Sequence, residues 1–238
     1  MKCIILAAGY VTRLYPLTEN FPKPLLEVGG KSIIDRLIDD VDCLIDQFIL
    51  VSNHKFYDQF MKWSEGKNVT VIDDGSVCNE ERLGAVKDIE LVLNRLDINE
   101  DCLVMAGDNV LDFSLRDFIC FCKEKGSSCV MCHKENRVEA LRKTAVITID
   151  ENNRITSYEE KPMDPKGKLA VPPFYYYKAD DIKRISEALG EGCGYDAPGS
   201  FAAWLSKKTD MYAYMMPGRR YDIGDIESYK RVCELFSR

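Results

Sequence analysis

Apolar residues recur along this chain in two rhythms. Cys3 to Ala7, Phe48 to Val51, Val69 to Ile72 and Cys102 to Ala106 are short runs that stay wholly or largely apolar. Such runs predict strands, and Cys3 to Ala7 and Cys102 to Ala106 read as buried ones, the former covered on both faces as in a parallel sheet. Between them the spacing changes. Ser32 to Ile45 carries apolar residues at 33, 34, 37, 38, 41, 44 and 45, which is the period of an amphipathic helix. Ser32 followed by Asp35 is a plausible N-terminal cap. Tyr57 to Trp63, Ala85 to Leu96 and Leu115 to Glu124 also read as helices, and Ser128 to His133 as an interior strand. Alternation of this kind over roughly the first 130 residues predicts a doubly wound open sheet.

The second half has a different rhythm. Ala145 to Ile149 and Ile155 to Glu159 flank a polar turn at Glu151-Asn152-Asn153, the pattern of a hairpin. Ala170 to Lys178 predicts one further strand and Asp181 to Leu189 one helix. Phe201 to Lys207 predicts a helix, Met211 to Met215 a strand, and Glu227 to Phe236 a closing helix. There is no internal repeat.

Composition narrows the function classes. With 46% hydrophobic residues the chain can build a core. A balance of 32 basic to 39 acidic residues, net −7, argues against a general nucleic-acid or membrane-surface binder. No apolar run approaches the ~18 residues of a membrane span, and the N-terminal run is too short for an export signal. A cytoplasmic protein is expected, with its ten scattered cysteines reduced. Cys129-Val130-Met131-Cys132-His133 has the spacing of a haem attachment or half a zinc site. No second pair follows, so an interior strand is the better reading.

Ligands of open sheets bind beyond the carboxyl ends of the strands. Ala7 to Pro24, Asp73 to Gly84 and Gly107 to Leu111 occupy those ends. Small residues directly after the first strand, Ala8-Gly9, allow close approach of backbone to ligand, and the amides of such a loop suit phosphate oxygens. Arg13 adds a planar fork of donors and Lys23 a mobile cation. Asp108 follows another buried strand in Ala106-Gly107-Asp108-Asn109, a position from which a carboxylate can hold a hard cation.

The run Leu6-Ala7-Ala8-Gly9-Tyr10-Val11-Thr12-Arg13-Leu14-Tyr15-Pro16-Leu17-Thr18, with Pro22-Lys23-Pro24-Leu25-Leu26, resembles the LAAGxGTRLxPLT…PKPL signature of sugar-phosphate nucleotidyltransferases. The resemblance extends from Lys2 to about Tyr229. It implies a Rossmann-like α/β fold of the glycosyltransferase-A kind, a doubly wound mixed sheet with a small sugar-binding subdomain. One domain, 1–238, is expected, with a nucleotide-binding half to about 130 and an acceptor half from about 131. The resemblance places Leu6, Ala7, Ala8, Gly9, Thr12, Arg13, Asn79 and Gly84 around a nucleoside triphosphate. Arg13 and Lys23 are expected on its phosphates. Asp108 and Asp222, the latter in Tyr221-Asp222-Ile223-Gly224-Asp225, are expected to bind Mg²⁺. In Tyr158-Glu159-Glu160-Lys161-Pro162, Glu160 is expected on sugar hydroxyls and Lys161 on the sugar phosphate, with Ala145 beside them.

The implied reaction is in-line attack of a sugar 1-phosphate oxygen on the α-phosphorus, releasing pyrophosphate. The nucleophile is already an anion, so no general base is needed. This agrees with only two histidines, His54 and His133, both outside the motifs. Several residues depart from the family pattern. Val11 replaces a glycine and is expected to narrow or shift the loop. Ala145 replaces a glycine, and Pro172-Pro173 a Thr-Gly pair. Asp225 replaces a threonine and is expected to cap the last helix. Asn79 to Ala85 lacks the glutamine and proline of thymidylyltransferases. Base and sugar therefore stay open, as does a homo-oligomer. A non-catalytic sugar-nucleotide-binding relative and a cytidylyltransferase acting on phosphocholine are the alternatives. A dinucleotide oxidoreductase would need a GxGxxG after the first strand, which is absent.

Overall fold

The apolar runs become strands, and the amphipathic stretches between them become helices. The computed structural model describes residues 1–237. From the N-terminus the elements are β1 (Lys2–Leu6), β2 (Glu27–Val28), β3 (Lys31–Ser32), α1 (Ile33–Val41), β4 (Gln47–Ser52), α2 (Tyr57–Ser64) and β5 (Val69–Asp73). Next come α3 (Ala85–Leu96), β6 (Cys102–Ala106), β7 (Asn109–Leu111), α4 (Arg116–Lys125), β8 (Cys129–Lys134) and α5 (Val138–Leu141). They are followed by β9 (Ala145–Ile149), β10 (Ile155–Glu160), β11 (Leu169–Val171), β12 (Phe174–Tyr177), α6 (Ala179–Ile182) and α7 (Ile185–Gly190). The last are α8 (Gly199–Leu205), β13 (Tyr212–Met215), β14 (Arg220–Asp222) and α9 (Ile226–Phe236).

Two compact units interleave along the chain. One takes 2–82, 106–116 and the stretch from Gly218. The other takes Met1, 83–105 and 117–217. In the first, β1, β4 and β5 run parallel, with Cys3 opposite Phe48 and Phe48 opposite Val69. Phe48 to Ser52 are all buried, which is why this strand reads as one apolar run. Ser32 caps α1 as expected, its hydroxyl accepting from the Asp35 amide at 3.1 Å. Two three-residue strands, β7 and β14, pair antiparallel with Asp222 opposite Asn109. Leu14, Leu26, Val28, Ile33, Val110, Ile223 and Val232 form a buried cluster in this unit, so the loop after β1 shares a core with β7 and α9.

The other unit carries strands in the order β10-β9-β11-β8-β12-β6, neighbours antiparallel, and β13 runs parallel to β8. The sheet of this protein is therefore mixed. Cys129 to Lys134 is strand β8, with both cysteines buried, and all ten cysteines are free. No helix among the described residues is long and apolar enough to cross a membrane.

Three predicted elements are broken. The helix expected from Ser32 to Ile45 ends at Val41, where φ turns to −117°, and a 3₁₀ turn at Asp42–Leu44 follows. Ala170 to Lys178 is not one strand but β11 and β12, separated by Pro172-Pro173. Proline has no amide proton and a fixed φ, so two in succession interrupt a ladder. The Phe174 amide instead turns back to the Pro172 carbonyl at 2.7 Å. Asp181 to Leu189 is likewise α6 and α7, with a break where Arg184 has ψ near 6°. Its buried residues, Ile182, Ile185 and Ala188, recur every third position. A straight helix of 3.6 residues per turn would rotate that row away from the core.

Candidate active site

The loop after β1 is built around its backbone. Ala7 and Ala8 are buried and Gly9 is exposed. The Asn53 side chain, fully buried after β4, donates to the Ala8 carbonyl at 3.1 Å. Thr18 is also buried and donates to the Val11 carbonyl at 2.8 Å. Tyr10 donates its hydroxyl to the Ser76 carbonyl at 2.9 Å, tying the loop to the segment after β5. Burial raises the Tyr10 pKa, keeping the phenol a donor. Asn53 and Thr18 are anchors that the motif alone does not reveal. A polar residue directly after a buried apolar strand was the available signal for Asn53.

Val11 holds a backbone conformation suited to the glycine it replaces. Its φ of 39° and ψ of 53° are the left-handed conformation glycine adopts freely. For a β-branched residue that conformation costs roughly 1–2 kcal/mol. The Val11 side chain packs against the buried cluster around Leu14 and Leu26, which offsets part of that cost. Thr12 and Arg13 follow in a short 3₁₀ turn, and both are exposed.

Lys23 is the hub of the site. It is only 3% exposed, at the start of a 3₁₀ turn with Pro24. Its Nζ lies 2.8 Å from Asp108 Oδ2 and 3.7 Å from Asp222 Oδ1. The Asp108 and Asp222 side chains keep 36% and 61% exposure. One buried cation thus sits beneath two open carboxylates, leaving one net negative charge facing outward. That donor set suits Mg²⁺, which takes one or two carboxylates and fills its shell with phosphate and water. The structure brings Lys23, Asp108 and Asp222 together. Among the described residues no hydrogen bond or ion pair joins Arg13 or Asn79 to them.

Gly107 makes this placement of Asp108 achievable. Its amide donates to the Leu6 carbonyl at 3.0 Å. A Cβ there would meet Ile5 Cγ2 at 2.9 Å, closer than a side chain tolerates. Asn109 is buried, and its amide nitrogen donates to Asp108 Oδ1 at 3.0 Å. Asp225 caps α9 as expected. It accepts from the Ser228 amide at 2.7 Å, and Ser228 bonds back to the Asp225 amide, completing a capping box.

The segment after β5 carries a second polar cluster. Asp74 is buried, and its Oδ1 accepts from both the amide and the hydroxyl of Ser76 at 2.7 Å. Burial raises its pKa and the Ser76 bonds oppose the rise. His54 Nδ1 and Asp73 Oδ2 lie 2.6 Å apart, which raises the His54 pKa. Asn79 is exposed at the start of a 3₁₀ turn.

The other unit holds the remaining predicted residues. Ala145 is buried and faces Glu160 on one neighbouring strand and Val171 on the other. Lys161 is exposed and adopts φ 48° where β10 ends, its amide donating to the Thr144 carbonyl at 3.1 Å. Burial raises the Glu160 pKa, with Lys161 opposing. The Glu160 carboxylate lies against Gly199, where a Cβ would run into Oε2. The hydroxyls of Tyr158 and Tyr177 are buried, and burial holds both phenols neutral. Gly84 is buried at the head of α3.

Comparison with known proteins gives the family. Residues 2–236 match the model of the nucleotidyl transferase family. A bifunctional GlmU protein of Methanococcus aeolicus is 29% identical over 79% of this chain. The chain spans only 43% of that relative's length. A UTP–glucose-1-phosphate uridylyltransferase, AglF, of Haloferax volcanii is 28% identical over 74% of this chain and 72% of its own. The crystal structure of a putative glucose-1-phosphate thymidylyltransferase from Bacillus anthracis superposes with a TM-score of 0.84. It covers 100% of this chain and 95% of its own, at 24% identity, and shows the shared α/β fold. With residues 2–236 matched to the family's model, this chain belongs to the nucleotidyl transferase family.

Proposed function

We propose that this protein transfers a nucleotidyl group from a nucleoside triphosphate to a sugar 1-phosphate, giving an NDP-sugar and pyrophosphate. The observation that carries the reading is the buried Lys23 beneath Asp108 and Asp222. An oxygen of the sugar phosphate forms a bond to the α-phosphorus, and the bond from that phosphorus to the bridging oxygen of pyrophosphate breaks. The obstacle is bringing two polyanions together, so positioning and charge neutralisation supply nearly all of the catalysis.

The backbone of Ala8 and Gly9 and the side chain of Thr12 hold the triphosphate, and Arg13 neutralises the departing pyrophosphate. The exposure of Arg13, with no protein partner among the described residues, supports a role toward a ligand. Asp108 and Asp222 would hold Mg²⁺, which supplies charge neutralisation to the phosphates when bound. Lys161 takes the acceptor phosphate and Glu160 a sugar hydroxyl. The left-handed backbone of Lys161 supports this, because such conformations in non-glycine residues concentrate at functional sites. The reaction is assigned to the cytoplasm, because the family is typically cytoplasmic.

Pyrophosphate release from dTTP, UTP, CTP, GTP and ATP, each with a panel of sugar 1-phosphates and Mg²⁺, tests the proposal. At least one pair should turn over, and Asp108→Ala should abolish that turnover while the protein stays folded. Unchanged, metal-dependent release in Asp108→Ala would sink the assignment. No release from any pair, with phosphocholine turned over instead, would replace the acceptor class.

A further inference from the structure

We propose that Arg220 is a positioning residue for Asp108, acting through the side-chain amide of Asn109. The inference rests on the reading of Asp108 as a cation ligand. Period-two geometry puts Arg220 and Asp222 on one face of β14. Asp222 stands opposite Asn109 in the pair with β7, and directly opposed residues share a face. Arg220, Asp222 and Asn109 therefore line the same face of this two-stranded ribbon.

The hydrogen bonds follow that face. Arg220 Nη1 donates to Asn109 Oδ1 at 2.7 Å. Asn109 Nδ2 donates to Asp108 Oδ1 at 3.0 Å and reaches toward the Ala106 carbonyl at 3.4 Å. Asp108 Oδ2 accepts from Lys23 at 2.8 Å. Both oxygens of Asp108 are thus held, one by Asn109 and one by Lys23.

Arg220 decides which end of the Asn109 amide faces Asp108. The amide oxygen accepts and its nitrogen donates. With the guanidinium on the oxygen, the nitrogen is left for the carboxylate. Turned over, Asn109 would present its oxygen to Asp108 Oδ1, acceptor against acceptor. Asn109 is 1% exposed, so water offers little help to a misplaced amide. Among the described residues Arg220 makes no ion pair, and its one side-chain hydrogen bond is to Asn109. Residues that orient a metal ligand from behind typically change metal affinity 10–100-fold when removed.

A charge effect would act in the opposite direction. Arg220 is a cation near a cation site, so charge alone predicts that its loss tightens divalent binding. Orientation predicts that its loss weakens it.

The experiment is Mn²⁺ binding to the nucleotide-free protein, read by electron paramagnetic resonance of free Mn²⁺. Arg220→Met should weaken binding about tenfold. Arg220→Lys should retain most of the affinity, because one N–H suffices to hold Asn109 Oδ1. Arg220 is half-buried, and circular dichroism melts confirm that both variants fold. In Asn109→Ser, which removes the relay, adding Arg220→Met should cost nothing further. Unchanged or tighter Mn²⁺ binding in Arg220→Met overturns the proposal. So does a full, additive loss from Arg220→Met in the Asn109→Ser background. Asp108→Asn is the separate arm. If it leaves Mn²⁺ binding intact, the cation-ligand reading of Asp108 falls, and the proposal with it. If it abolishes binding while Arg220→Met does not weaken it, only the proposal falls.

Discussion

Lys23 is buried and held by two carboxylates, so removing them one at a time should differ sharply from removing both. The gross attraction follows from the distances. At an effective dielectric of about 20, contacts of 2.8 Å and 3.7 Å are worth roughly 6 and roughly 4.5 kcal/mol. Desolvating the ammonium costs several kcal/mol, so either carboxylate alone nearly offsets its burial. The two carboxylates also repel one another, and that repulsion is relieved when one is neutralised. Asp108→Asn and Asp222→Asn should therefore each cost no more than about 1.5 kcal/mol, the scale of one hydrogen bond to a charged group. Asp222 is 61% exposed, and solvent screening places it at the low end. The double variant leaves an uncompensated buried charge and should lose about 3–5 kcal/mol. In melting temperature that is a drop of up to roughly 6 °C for each single variant and roughly 6–20 °C for the double. Urea unfolding at pH 7.5 measures all four proteins. Additive losses, or a double variant within about 1 kcal/mol of either single, would refute the view of Lys23 as a buried charge needing one partner.

The strain at Val11 predicts an inverted order of stabilities. Val11→Gly should be at least as stable as Val11→Ala, although glycine ordinarily costs about 0.5–1 kcal/mol relative to alanine; the ordinary order in denaturant melts would show that the left-handed backbone stores no strain. Asp225→Ala removes the capping box of α9 and should cost about 1 kcal/mol, or about 2–4 °C. Glu160 has a raised pKa in the folded protein, so its burial opposes folding above the unfolded value near ~4.3 and is harmless below it. Glu160→Gln should accordingly melt higher than the parent at pH 8, with the gap closing toward pH 4; an equal gap at both pH values would count against a buried carboxylate. His54 is raised by Asp73, so its pairing stabilises the fold below about 6.5 and fades as pH climbs through the folded value. Proton NMR should show His54 titrating above about 6.5, and Asp73→Asn should bring it back there.

Much of the fold was legible because buried strands and amphipathic helices write themselves into hydrophobic spacing. Ala85 to Leu96 and Cys102 to Ala106 are read off the chain without error. The three-residue strands β7 and β14 were not, because three residues are too few to show a period. The break at Pro172-Pro173 was present in the letters but outweighed by the apolar run around it. Val11 shows the converse: the substitution was visible, yet its conformation depends on the core beneath it.

By itself the sequence determined the alternation of elements, the loop after β1 and the identity of Lys23, Asp108 and Asp222 as candidates. Those are local properties, carried by spacing and by side-chain chemistry at strand ends. Only the tertiary structure decided that Lys23 is buried beneath the two aspartates, that Asn53 and Thr18 anchor the loop, and that Arg220 reaches Asn109. Each depends on residues brought together by strand pairing and core packing across long stretches of chain, and no spacing along the sequence encodes which distant partner a buried polar group will find.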